Sequence, residues 1–169
     1  MSNARLLVIA FAIAAVAALY TYVAQSFGLV SWISFTCWAA YFLAGGSPKE
    51  GWRMFVNWAC GVGLGAIIIL LATAIGPVLG ATHAYPVAMF IVLVPTLLLE
   101  NVRFLNMIPF IFFGAISLFA LGKPVELATF QTLATAGVLG IGLGWMTTSM
   151  RSSITRFLAR HDSTRWPTG

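Results

Sequence analysis

Six apolar runs, at residues 6–24, 29–43, 54–75, 87–99, 104–121 and 127–146, each closed by a short polar or Gly/Pro-bearing break, constrain this chain more than anything else in it. A helix crossing a bilayer needs about 20 apolar residues, and runs of this kind are read as crossings. Apolar residues make up 60% of the sequence and charged residues 8%. Soluble domains average roughly 45–50% and about 25%, so a water-facing globule is excluded, as is intrinsic disorder, which needs the reverse balance. With 169 residues there is room for the spans but for no second folded domain. The sequence therefore predicts an all-α integral membrane protein, with one six-helix domain over residues 1–150 and a basic amphipathic tail over 151–169.

The first run follows Arg5 and resembles a secretory signal, but it is long for a signal core and is expected to remain as the first span. Six spans place both termini on one side of the membrane. That side then carries Arg5, Lys49, Arg53, Arg103, Arg151, Arg156, Arg160 and Arg165, against Lys123 alone on the other. Such an imbalance predicts termini in the cytoplasm. The net charge of +5 is thus a topology signal facing lipid phosphates rather than a nucleic-acid surface. Past the last span, Ile154, Phe157 and Leu158 alternate with arginines, as in a short helix on the cytoplasmic interface, and His161 to Gly169 is expected to fray. Cys37 and Cys60 lie in apolar runs without metal-ligand spacing.

Sliding the chain on itself pairs span two with span five and span three with span six. At an offset of 75, Ile33, Phe35, Phe55 and Gly65 match Ile108, Phe110, Phe130 and Gly140; at 77, Phe35, Phe42, Gly45 and Gly63 match Phe112, Phe119, Gly122 and Gly140. Three-span repeats insert with opposite orientations, so the expectation is an inverted 3+3 arrangement (about 6–75 and 83–149) with function near the midplane. The segments Gly28-Leu29-Val30-Ser31-Trp32, Ala40-Tyr41-Phe42 and Gly45-Gly46, with the later Ile108-Pro109, Gly114-Ala115 and Phe119-Ala120, resemble a small YcdZ-like family of bacterial inner-membrane proteins with no assigned activity. The resemblance spans residues 6–150 and leaves out the basic tail. It implies a multi-span inner-membrane protein and brings no catalytic residue.

The glycines are the clearest packing signal. Gly61 with Gly65, and Gly140 with Gly144, recur four apart inside apolar runs, which suits close helix approach and not nucleotide binding. Candidate solute contacts form two faces: Ser34, Phe35, Tyr41 and Phe42 on span two, and Asn106, Phe110, Phe113 and Ser117 on span five. Aromatic walls with sparse hydrogen-bonding groups suit small neutral or cationic solutes, although lipid contact and core packing account for most membrane aromatics. Spans two and four are expected to be short, at about 22 and 20 Å against a core of roughly 30 Å. That would draw Glu100 and Arg103 below the interface as a pair, either an ordinary interfacial one or part of a gate. Asn57, Gln131, Thr132 and Thr135 are further polar candidates, and His83 and Tyr85 fall in an outer loop at 76–85.

No two carboxylates share a span, no nucleophile has a nearby base, and no metal-ligand cluster appears. The expectation is therefore no enzyme, cofactor or metal. Coupled pumps usually carry an intramembrane acid; none lies mid-span here. The sequence points to a homo-oligomeric channel or facilitator for a small polar solute of the urea, amide or guanidine type. The alternatives are a non-transporting scaffold or regulatory subunit, and a coupled exporter using Glu100.

Overall fold

Ser47 shows how the chain punctuates its helices. Gly45 and Gly46 take φ of 105° and 67°, a region costly for residues with a Cβ. The Ser47 hydroxyl then accepts the Glu50 amide N–H at 3.3 Å and caps the helix that begins at Pro48. The computed structural model describes residues 3–163, with side chains for 6–157. Its elements are α1 (Asn3–Ser26), α2 (Ser31–Leu43), α3 (Pro48–Leu79), α4 (Ala81–Leu98), a 3-10 turn (Leu99–Asn101), α5 (Ile108–Leu121) and α6 (Leu127–Ser163), with no strand among the described residues. Four stretches, Leu6–Ser26, Pro48–Leu79, Ala81–Asn101 and Leu127–Phe157, are long and apolar enough to cross a membrane. Phe11, Phe90, Val78 and Leu127 stand exposed on the outside, as expected where hydrocarbon is the solvent. The chain is an all-α membrane protein.

Several boundaries differ from the sequence reading. The expected loop at 76–85 shrinks to one residue. Gly80, at φ 77°, donates its N–H to the Gly76 carbonyl and closes α3, while its own carbonyl accepts from His83 and Ala84 and opens α4. Pro77 sits in the last turn of α3, where the bond it removes costs little continuity. His83 and Tyr85 therefore belong to α4, and span four is not short. The short helices are α2 and α5, with 13 and 14 residues. Thr147 to Ser149 do not break the last helix, which runs 37 residues to Ser163, so residues 151–157 extend span six instead of forming a separate interfacial helix. Arg5, Leu158, Arg160, Arg165 and the fraying expected near the C-terminus fall outside the residues whose side chains are described.

Packing divides the helices into two lobes. α3 packs most extensively on α5 and next on α4, whereas α6 packs on α2 and, less, on α1. Each lobe thus joins the long third helix of one half of the chain to the short helix of the other. Contacts between lobes (α3 with α6, α2 with α3, α2 with α5) are sparser.

Glycine makes both crossings possible. A Cβ on Gly61 would fall on the Ile111 carbonyl, and one on Gly114 would fall on the Trp58 carbonyl. In the other lobe a Cβ on Gly140 would fall on the Ser34 carbonyl and stand 2.6 Å from Cys37 Cβ. One turn further along, Gly65 faces Leu118 and Gly144 faces the Tyr41 ring. The partners correspond. Ser34 and Tyr41 lie 77 positions before Ile111 and Leu118, and Gly61 and Gly65 lie 79 before Gly140 and Gly144. The core at the junction includes Ile33, Cys37, Tyr41, Met54, Trp58 and Leu133.

Candidate functional site

The seam between α3 and α6 is where the lobes leave room. Phe55 and Trp58, three apart on α3, stack with ring centres 5.8 Å apart and planes 17° from parallel. They lie over Gly137 of α6, whose missing Cβ would stand 2.9 Å from Trp58 and 3.0 Å from Phe55. The Trp58 indole N–H donates to Ser117 Oγ at 3.2 Å, and the Ser117 hydroxyl donates to the Phe113 carbonyl at 2.7 Å, which fixes the indole against α5. Beside this stack is a cavity of about 230 Å³. Phe55, Trp58, Ala59 and Gly63 line one side and Phe130 and Ala134 the other. The small residues make the space and the aromatic faces bound it. No titratable group lines it.

Most residues that the sequence offered as a pathway wall are placed elsewhere. Ser34 is fully buried under α6 and accepts the Tyr20 hydroxyl at 2.6 Å. Tyr41 is equally buried, its ring held between Gly144 and Gly51. Phe35 sits edge-on to Tyr20 and stacks on Trp38. Phe42 faces outward at 46% exposure. The polar face of α2 is therefore filled by α6, because Gly140 and Gly144 let that helix come close. On α5, Phe110 is buried and packs edge-on to Phe113. Among these candidates, Ser117 is hydrogen-bonded to the seam stack, through the Trp58 indole. On α6, Gln131 is exposed, and Thr132 donates to the Ala128 carbonyl of its own helix.

Asn57 and Asn106 belong to a latch. Asn57, with no solvent exposure, donates to the carbonyls of Arg53 (2.8 Å) and Phe104 (2.7 Å) and accepts the Met107 N–H at 3.0 Å. Arg53 donates to the Arg103 carbonyl at 3.1 Å and to Asn106 Oδ1, and it pairs with Glu50 at 3.5 Å. This network secures the connection from α4 to α5 and supplies partners at the start of α5, which lacks a side-chain cap of its own. Glu100 and Arg103 are both exposed, and no ion pair joins them among the described residues; the 3-10 turn brings neither to the seam.

Sequence reasoning missed Phe55, Trp58, Gly63 and Gly137 as a group. The available signal was the i, i+3 aromatic pair facing a glycine-rich sixth span, but locating it required knowing that α3 and α6 meet. Among the described residues no group of three His, Cys, Asp or Glu could hold a metal. Compared with known proteins, residues 10–150 match the family described as a protein of unknown function (DUF1097). No match was found among curated proteins or among solved structures.

Proposed function

The chain belongs to the DUF1097 family, and we propose that it is a channel or facilitator for small, flat, polar solutes of the urea, amide or guanidine type. The observation that carries this reading is the aromatic-walled cavity in the α3–α6 seam, where the α3–α5 lobe meets the α2–α6 lobe. Transport sites commonly form where repeat-related units meet. Aromatic faces accommodate flat polar and cationic groups, and a cavity of about 230 Å³ has room for a solute of a few heavy atoms. Glu100 lies outside the seam, and no acidic residue lines the cavity, which favours facilitated passage over coupled export.

In this reading all six helices cross the membrane and the halves insert with opposite orientations. α2 and α5 rise about 20 and 21 Å, and their flanking turns complete the roughly 30 Å core. The termini face the cytoplasm, by the distribution of cations, the membrane is the bacterial inner membrane that the resemblance implies, and the apolar exterior accommodates lipid and further copies in a homo-oligomer. A second reading is a non-transporting scaffold. The observation behind it is that buried Ser34, Asn57, Thr96, Ser117, Thr129 and Thr147 all have partners inside the chain. Buried polar side chains satisfied in this way serve a structural protein well.

Stopped-flow shrinkage of proteoliposomes with urea, acetamide and guanidinium separates the two. The facilitator speeds solute-dependent re-swelling over empty vesicles. Rates equal to those of empty vesicles for every solute would leave the scaffold reading standing.

A further inference from the structure

Away from the seam, a second cavity of about 280 Å³ lies between the α2–α3 turn and the outer part of α6. One wall is Tyr41, Gly46 and Pro48, at the N-terminal end of α3. The other is a stripe at helical spacing, Thr148, Ser149, Ser152 and Ser153, ending in Arg156. These hydroxyls are not equivalent. Thr148 and Ser152 donate to carbonyls of their own helix, at 2.8 and 3.0 Å. The Ser149 and Ser153 hydroxyls form no hydrogen bond among the described residues. Arg156 donates its Nε–H to the Ser152 carbonyl at 3.3 Å, which lays the guanidinium along the stripe, and its terminal nitrogens have no partner among the described residues.

The Tyr41 hydroxyl is the decisive group. It has no solvent exposure and no hydrogen-bond partner among the described residues, an arrangement that is costly to leave unfilled. The ring cannot swing away, because Gly144 and Gly51 clasp its two sides. No carboxylate lines the cavity, and the nearby Glu50 is engaged by Arg53 at 3.5 Å. The positive end of α3, a guanidinium and three donor hydroxyls without acceptors therefore converge on one space. Trp145, which lines the same cavity, and Trp52 are 55% and 65% exposed, as indoles are at the membrane–water interface.

We propose that this cavity binds a phosphate group, with Tyr41, Ser149, Ser153 and Arg156 donating to its oxygens. The phosphate comes either from an anionic lipid headgroup at this depth or from a free phosphate in the adjoining water. The site stands on different residues from the seam and does not depend on its function.

The test uses the full chain in maltoside micelles freed of lipid. It is titrated in separate arms with inorganic phosphate, with short-chain phosphatidylglycerol and with the corresponding diacylglycerol, following heat of binding and thermal midpoint. Saturable binding with a raised midpoint is expected from at least one phosphate-bearing ligand and not from diacylglycerol. Response to phosphatidylglycerol alone assigns the headgroup, and response to inorganic phosphate assigns the free ion. Arg156→Gln is expected to weaken binding about tenfold or more, and Tyr41→Phe several-fold. Ser153→Ala, at an exposed position, supplies a variant that folds if Tyr41→Phe does not, and is expected to weaken binding about threefold. No saturable binding in either phosphate arm, or unchanged affinity in Arg156→Gln and Ser153→Ala, overturns the proposal.

Discussion

Gly61 of α3 lies directly beneath the Ile111 backbone of α5, so close that a Cβ would overlap the carbonyl oxygen and stand 2.9 Å from the Ile111 Cα. The obstacle is backbone, and no side chain can move aside to relieve it. Gly61→Ala and Gly114→Ala should therefore each destabilise the protein by about 3 kcal/mol or more, at or above the usual overpacking range, or prevent folding. Gly63→Ala and Gly142→Ala, with nothing within 4 Å of the added carbon, should stay within roughly 0.5 kcal/mol of the native chain. Unfolding by SDS titration in mixed micelles measures both pairs.

The latch at Asn57 predicts a local effect. Asn57→Ala leaves the Met107 N–H and the Phe104 carbonyl without their partner, at a cost of about 2 kcal/mol. The loss should concentrate in the α4–α5 connection. Amide exchange at residues 102–107 should rise about tenfold or more while α2 and α6 remain protected, as expected of a local opening. Uniformly faster exchange across the helices would show that Asn57 supports the whole fold instead.

The indole bonds make a smaller, paired prediction. Trp38 donates to Thr147 Oγ1 at 3.0 Å and Trp58 to Ser117 Oγ at 3.2 Å, one such bond in each lobe. Thr147→Val and Ser117→Ala should each cost about 1 kcal/mol. The double variant should be near the sum of the two, because the pairs share no partner. Thermal midpoints of the two single variants and the double variant provide the comparison.

Much of this architecture is legible in the amino acids. The apolar runs locate all six helices, and Gly61, Gly65, Gly140 and Gly144 stand out because four-residue glycine spacing has one main use in a bilayer. Ser34 and Ile111, 77 residues apart in the sequence, meet Gly140 and Gly61 respectively. The α3–α6 half does not keep that register. α6 starts 79 residues after α3, since α5 and its following loop together carry extra residues, and apolar composition blurs a shift of half a turn. Pro77 and Pro86 disguised the α3–α4 junction, because prolines near helix ends look like loop residues until Gly80 is seen to make the turn alone. The polar face of α2 was visible, but whether it met solute or another helix depended on a partner more than 100 residues away.

The opposed orientation of the two halves has its own test. Ser47 and Lys123 follow α2 and α5 respectively. In a chain with Cys37 and Cys60 replaced by alanine, Lys123→Cys should react with an impermeant maleimide applied to intact cells and Ser47→Cys should not. Labelling of both would mean that the halves do not insert oppositely, and labelling of Ser47→Cys alone that the termini face outward.

The central claim, passage of a small solute through the seam, is tested most directly by filling the cavity. Gly63 lines it and has open space beyond its Cα; Gly142 has equal space but lies outside it. Urea permeability of proteoliposomes should fall about tenfold or more in Gly63→Phe, a blockage worth at least roughly 1.4 kcal/mol of barrier, and be unchanged in Gly142→Phe. Equal permeability in folded Gly63→Phe and the native protein would contradict a path along α3 and α6.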